Sequence, residues 1–300
     1  MKVKQIKELL SQVDNPALLF NKLLVLEYID GFSQNQNLTE KDKDKKGKDK
    51  RDEDVKKIDY INKFKEKVQR PEPPPKVEGY TIEKFRLKTA YRLVIGAGYP
   101  SFIENGFLFH HVYGIPYIPG ETLKGLARNV FILSVAEAVK KETKLSEIEE
   151  ELSEEEGSIS YQIPEKINII LDDYTIEDPV ETFRKIFCFK KRRGQVIFFD
   201  AYPVYFKPSE HFEADIMNSH YGDYYHSGKA PADWLSPNPI HFLALKEGID
   251  FEFSLGLAPL EPMEDNQEKL LLETARKLLE VGLKNFGVGN KKRKGYGWFK

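Results

Sequence analysis

From Phe85 to Leu93 the chain alternates apolar and polar residues, the period of a half-buried strand, and Gly96 and Gly98 close it. Short aromatic-rich strands are expected over 106–118. The period then lengthens. Leu123, Ala127, Val130, Phe131 and Val135 recur at helical spacing and predict a helix running to about Lys141. Glu142 to Glu156 is acidic and reads as a surface excursion. Ile197 to Phe206 reads as a strand after the basic turn Lys190–Gly194. Residues 207–239 are rich in Pro, His and Tyr with little periodicity, too long for a plain connection inside a domain. His241 to Leu257 divides into two strands around Lys246–Asp250. Glu268 to Val281 is helical, and Gly287 to Lys300 is a glycine loop leading to a final strand. The order strand, helix, strands, helix, strand predicts an α+β, ferredoxin-like (RRM-like) domain over 77–300, with 207–239 as a long insertion.

Residues 1–76 read as a separate segment. Val3, Ile6, Leu9, Leu10 and Val13, then Leu18, Leu19, Leu23 and Leu26, mark two helical stretches joined at Asp14-Asn15-Pro16. The mixed-charge run at 33–57 buries too little apolar surface to order itself. Its acids nearly cancel its lysines, which argues against a basic arm for RNA. A short helix from Val55 to Val68 precedes Pro71, Pro73, Pro74 and Pro75, a stiff linker.

Net charge is −2 over 300 residues, and the distribution matters more than the sum. Residues 284–300 hold six of the 46 basic residues and none of the 48 acidic ones, so an acidic body carries a basic end. That asymmetry points to a localised anion-binding surface. The single cysteine, Cys188, excludes a disulfide framework or a cysteine-based metal cluster within the chain and suits a reducing, cytoplasmic setting. No run approaches ~20 apolar residues, so no membrane span is expected. Lys2, Lys4, Lys7 and Glu8 interrupt the apolar core that a secretory signal requires.

Candidate chemistry concentrates in three places. In Phe286–Gly297, four glycines frame Lys291, Lys292, Arg293 and Lys294. Glycine permits positive φ and close backbone approach, and the cations supply phosphate contacts. Tyr296, Trp298 and Phe299 add stacking surfaces or core residues. The alternative is a solvated hairpin turn. The second place is Gly114–Arg128, where Pro116, Pro119 and Gly120 lead into a helix. Its first N–H groups suit a phosphate, and Lys124 and Arg128 lie four apart on one face. The alternative is an ordinary loop–helix junction. The third is histidine. His110 and His111 on a strand would face opposite sides; one is a candidate acid or base on a ribose 2′-OH with Lys124 nearby, and the favoured alternative puts one imidazole in a satisfied polar cluster and the other at the surface. His211, His220, His226 and His241, with Asp215 and Asp223, have spacings of no standard zinc site.

Gly106–Arg128 resembles the strand–loop–helix signature of the RAMP proteins of CRISPR systems, and Gly287–Gly297 resembles their glycine-rich loop. Asp215–Tyr225 and Pro231–Pro239 resemble, within that superfamily, the family of sixth Cmr subunits of type III-B effector complexes. The resemblance spans about 85–300. It implies a RAMP fold with insertions and a helical N-terminal appendage. It also implies a non-catalytic, guide-RNA-binding subunit of an antiviral ribonucleoprotein, capping the backbone near the guide 3′ end. Expected partners are guide RNA, a neighbouring RAMP backbone subunit, other Cmr subunits and target RNA, with no cofactor, metal or membrane. The RNA-binding residues so implied are Lys124, Arg128, Gly287, Gly289, Asn290, Lys291, Lys292, Arg293, Lys294 and Tyr296. The loop at 207–239 falls where RAMP folds insert an RNA-kinking thumb. The turn Lys190–Arg193 matches no family feature. The competing reading is a metal-independent endoribonuclease using His110 or His111.

Overall fold

The structure, a computed structural model, describes residues 80–99, 105–139, 144–153, 163–189, 192–219, 227–228, 230 and 238–300. The expected N-terminal helices, charged loop and proline linker lie outside these residues. So do Lys190, Lys191, His220, Asp223, His226 and Trp234. In chain order the elements are β1 (Thr81–Lys88), α1 (Gly120–Val139), α2 (Leu145–Ser153), β2 (Lys166–Asn168), β3 (Thr175–Glu177), α3 (Pro179–Ile186), β4 (Cys188–Phe189), β5 (Arg192–Arg193), β6 (Val196–Phe198), β7 (Tyr202–Pro203), α4 (Pro208–His211), β8 (Phe212–Ser219), β9 (Asn238–Leu245), β10 (Asp250–Leu257), α5 (Asp265–Asn285) and a 3₁₀ turn (Lys292–Lys294). They fall into two bodies.

The larger body comprises 80–91, 117–204 and 250–300. Its sheet is built on β10, which pairs antiparallel with β1 from Thr81↔Leu257 to Lys88↔Asp250. On its other edge β10 takes β6 and β7, also antiparallel. Phe85 stacks on its cross-strand partner Phe253 at 5.2 Å, and Phe299 meets Phe253 edge-on at 5.5 Å. Each such ring, fully buried, contributes about 1.5–3 kcal/mol. The expected final strand is shorter than foreseen. It is a single bridge, Thr89↔Phe299, flanked by Lys88 N–H donating to Lys300 C=O (3.0 Å) and Ala90 N–H to Trp298 C=O (2.7 Å). The alternation at 85–93 also stops early, because β1 ends at Lys88. Tyr91 is therefore exposed, where a continued strand would bury it with Phe85.

α1 starts three residues before its apolar stripe. Phe131 on α1 packs edge-on against Phe183 of α3 at 5.3 Å, and Phe183 contacts Phe187 at 5.2 Å. The acidic excursion is a correction: 145–153 is helix α2, which buries Ile148 and Leu152, four apart, together with Glu151. The strand expected over 197–206 is broken into β6 and β7, with Ala201 turned aside to bridge Ile118. The hairpin β2–β3 and helix α3 were not foreseen. Asp178 caps α3 by accepting from Glu181 N–H (3.2 Å), and Pro179 occupies its first turn.

The smaller body comprises, among the described residues, 92–116 and those within 205–249. β8 and β9 form a two-stranded antiparallel ribbon from Phe212↔Leu245 to Ser219↔Asn238, and Leu93 bridges Leu245. Residues 207–219, read as aperiodic, thus hold a helical turn and an eight-residue strand. Of the short strands expected over 106–118, only the bridge Phe109↔Pro116 lies within this body.

Candidate nucleic-acid interface

All ten RNA-binding candidates lie in the larger body. The C-terminal loop is built by closure of its own backbone. α5 stops where Phe286 and Gly287 both donate to Gly282 C=O at 3.0 Å, and Gly287 turns the chain at φ 69°. Val288 N–H then donates to Gly297 C=O at 2.9 Å and shuts the neck. A Cβ at Gly297 would lie 1.8 Å from Val288 C=O, so no other residue fits there. Between these pins Gly289 has φ 83° and Lys291 has φ 58°. Lys294 N–H donates to Lys291 C=O and Gly295 N–H to Lys292 C=O, each at 2.9 Å, forming the 3₁₀ turn.

This geometry displays Lys292, Arg293 and Lys294 consecutively, all exposed. Among the described residues no side chain or carbonyl holds their charged ends. Other cations of the same body have carboxylates: Arg86 with Glu252 (3.0 Å), Arg276 with Glu83 (2.9 Å) and Glu280 (2.7 Å), and Arg192 with Glu261 (2.7 Å). Asn290 and Lys291 are half-buried at the base of the turn. Tyr296 is 9% exposed and meets Tyr91 edge-on at 5.2 Å, so it is a packing residue rather than an open stacking face. The exposed aromatics here are Tyr91 (37%) and Trp298 (39%). Tyr91 lies where a Cβ on Gly295 would touch its ring. The alternating pattern had placed Tyr91 on the core face, and only the early end of β1 exposes it.

The helix start at 120 is not an open anion site. Asp200 Oδ1 accepts Gly120 N–H at 2.8 Å, which places a carboxylate where a phosphate was expected. The two α1 cations also differ. Arg128 Nη2 reaches Glu149 Oε1 at 3.0 Å and Ser153 Oγ at 3.2 Å, and its guanidinium lies 5.1 Å over the Phe183 ring. It ties α1 to α2 and α3. Lys124 is half-buried, and no group among the described residues hydrogen-bonds or ion-pairs with it. Burial holds its ammonium below the usual lysine pKa; the Cys188 thiol opposes this shift and Arg128 reinforces it. Cys188, which pairs with Arg193 across β4–β5, lies close enough to Lys124 to act on its charge.

The described histidines belong to the smaller body. His110 and His111 do not face opposite sides of a strand. They sit in a turn closed by Gly114 N–H donating to His110 C=O (2.8 Å), and their rings stack at 5.0 Å. His110 Nδ1 accepts from Val112 N–H (3.3 Å) and Tyr113 N–H (3.4 Å), which leaves Nε2 to carry the proton. His211 Nδ1 lies 2.9 Å from Lys207 N and from Lys207 O, within the turn of α4. Among the described residues no three His, Cys, Asp or Glu side chains are placed to hold a metal, and no helix is long and apolar enough to cross a membrane.

Comparison with known proteins covers residues of both bodies. A model of the RAMP superfamily matches residues 86–300. The CRISPR system Cmr subunit Cmr6 of Pyrococcus furiosus is 30% identical over 232 residues, covering 71% of this chain and 66% of that protein; the chain thus spans just under two thirds of its relative. The crystal structure of Cmr6 from Pyrococcus furiosus matches with TM-score 0.46 and 28% identity, over 74% of this chain and 98% of that one. A chain of the cryo-EM structure of the type III-B Cmr-beta bound to cognate target RNA matches with TM-score 0.57 and 18% identity, over 99% of this chain and 95% of that one, a likeness of fold.

Proposed function

Because the chain belongs to the RAMP superfamily, we propose that it is a non-catalytic, guide-RNA-binding structural subunit of a type III-B CRISPR ribonucleoprotein, capping the backbone near the guide 3′ end. The observation that carries the RNA reading is the turn Lys292–Lys294. Three adjacent cations stand exposed on a backbone-locked loop without an anion among the described residues, in a chain whose other charges sum to the acidic side. A phosphate backbone is the ligand such a turn suits. Lys124 contributes as a desolvated cation that a phosphate would re-pair, and Tyr91 and Trp298 offer faces for bases. Similarity to a protein named Cmr6 supports membership of a Cmr complex, with a neighbouring RAMP subunit as partner. The ferredoxin-like reading draws support from the sheet, in which the C-terminal bridge, β1, β10 and β6 lie side by side with antiparallel neighbours.

The non-catalytic role rests on the histidine turn. In-line cleavage of RNA needs an acid and a base on opposite sides of the phosphate. The His110 and His111 rings are stacked on one turn, and backbone donors already occupy His110 Nδ1. Ultraviolet crosslinking of the assembled complex should join guide RNA to the peptide containing Lys292–Lys294. Labelled repeat RNA should survive incubation with the purified chain. Cleavage that is lost in His111→Ala would overturn the non-catalytic role, and crosslinks confined to other segments would overturn the RNA site.

A further inference from the structure

The larger body carries a second exposed feature, chemically unlike the basic turn. The β2–β3 hairpin turns at Ile170–Asp173, and Leu171 there is 69% exposed with φ 63°. A left-handed conformation costs a leucine roughly 1–2 kcal/mol, and strain of this kind concentrates at functional positions. The turn is locked rather than loose. Asp172 N–H donates to Ile169 C=O (3.0 Å), Ile169 N–H donates to Tyr174 C=O (2.9 Å), and Asp172 Oδ1 accepts Tyr174 N–H (2.9 Å). The hairpin is anchored on two helices. Ile170 N–H donates to Ser134 Oγ of α1 at 3.0 Å, and Tyr174 Oη lies 3.1 Å from Thr274 Oγ1 of α5. One turn before Thr274, on the same flank of α5, Leu270 is 54% exposed.

Three carboxylates, two of them in the turn, lie beside these apolar groups. Asp172 and Asp173 follow Leu171 in the turn. Glu273 lies next to Thr274 and close enough to Tyr174 to help raise its phenol pKa, after the larger effect of burial. Lys269, beside Leu270, and Lys277, a turn beyond Glu273, are the cations on this flank, and the hairpin turn itself carries only acids. RNA is disfavoured here, because its phosphates would meet the acids. A second copy of the chain in a two-fold contact would set the same acids against each other. The complementary surface is apolar with a rim of lysine or arginine.

We propose that the Ile170–Asp173 turn and the Leu270–Glu273 flank of α5 form a docking surface for a neighbouring protein subunit that presents an apolar pocket rimmed by basic side chains. The proposal rests on the reading of the chain as a subunit of a multi-subunit complex. The test is reconstitution of the full-length chain with the remaining Cmr subunits and guide RNA, with a photo-crosslinking phenylalanine in place of Leu270. The expected product is a protein–protein crosslink to a peptide containing Lys or Arg. Leu171→Gly removes the side chain and suits the backbone, so its thermal midpoint should be unchanged or higher while its association weakens by about 10-fold. Glu273→Lys should weaken association in the same direction. Crosslinks to RNA or to a second copy of the chain, no crosslink in an assembled complex, or full association of Leu171→Gly would each overturn the docking surface alone. Failure of the wild type to assemble would overturn the subunit reading together with it.

Discussion

Arg128 on α1 and Arg293 on the C-terminal turn carry the same charge in the same body, yet their surroundings differ. Arg128 is held by Glu149, Ser153 and the face of Phe183, and so acts as a tie among three helices. Arg293 stands between two further exposed cations on a turn fixed by its own backbone. The difference teaches that a cation's role is set by which acceptors the fold brings to it. Where the fold supplies a carboxylate, the charge is spent on packing. Where it supplies only a rigid platform, the charge is left for a ligand.

The comparison breaks most severely if the platform is removed while its charges remain. Gly297→Ala forces a Cβ to within 1.8 Å of Val288 C=O at φ 74°. It should destabilise the chain by about 3 kcal/mol or more, roughly 6–12 °C in thermal midpoint for a body of this size. RNA affinity should fall with every cation still present. A variant that melts like the wild type and binds RNA equally would show that the closed neck is dispensable.

Arg128→Ala should move stability and leave the salt dependence of RNA binding alone. The ion pair with half-exposed Glu149 contributes about 0–1 kcal/mol, and the contact with Phe183 about 0.5–2 kcal/mol. At about 1.5 kcal/mol, near the middle of the summed ranges, a fall of about 3–6 °C is expected by calorimetry. An unchanged midpoint with a flatter salt slope would move Arg128 from tie to RNA contact.

Lys124 should give the smallest effect, read by pH. Its folded-state pKa lies below the unfolded value, mainly through burial. Between those two values the unfolded chain binds more protons, so stability rises with pH across that window. Lys124→Met should lose this rise. RNA bound at Lys124 would favour the charged form, so affinity should decline as pH climbs through the lowered pKa in the wild type and stay flatter in Lys124→Met. Identical profiles for the two proteins would remove Lys124 from the interface.

Much of this architecture is legible from periodicity alone. The stripe at Leu123–Val135 and the run at Glu268–Val281 both sit inside helices, and β10 occupies the second half of the apolar stretch from His241. Failures arise where a local signal is short or masked. Ile148 and Leu152 make a helical face that the four glutamates of α2 hide in any composition count. Phe212, Ala214 and Ile216 alternate with Glu213 and Asp215, a strand signal lost among neighbouring prolines and histidines. At the site, the glycine-framed cations could be read directly, because no partner is needed to recognise them. The commitment of Arg128 to Glu149, the capping of Gly120 by Asp200 and the exchange of Tyr296 for Tyr91 as the open ring all depend on residues distant in sequence. One chain without its fold cannot show those meetings.

The central claim is that Lys292, Arg293 and Lys294 face RNA phosphates. The most direct measurement is the affinity of the full-length chain for single-stranded guide RNA across a salt series, for the wild type and for the variant with all three replaced by Ala. Each phosphate neutralised on a single strand adds about 0.7 to the slope of log affinity against log salt. The triple variant should therefore flatten the slope by up to about 2 units, equally for guides of different sequence, with its thermal midpoint held. An unchanged slope would contradict the account and leave the turn as a contact for an acidic protein surface.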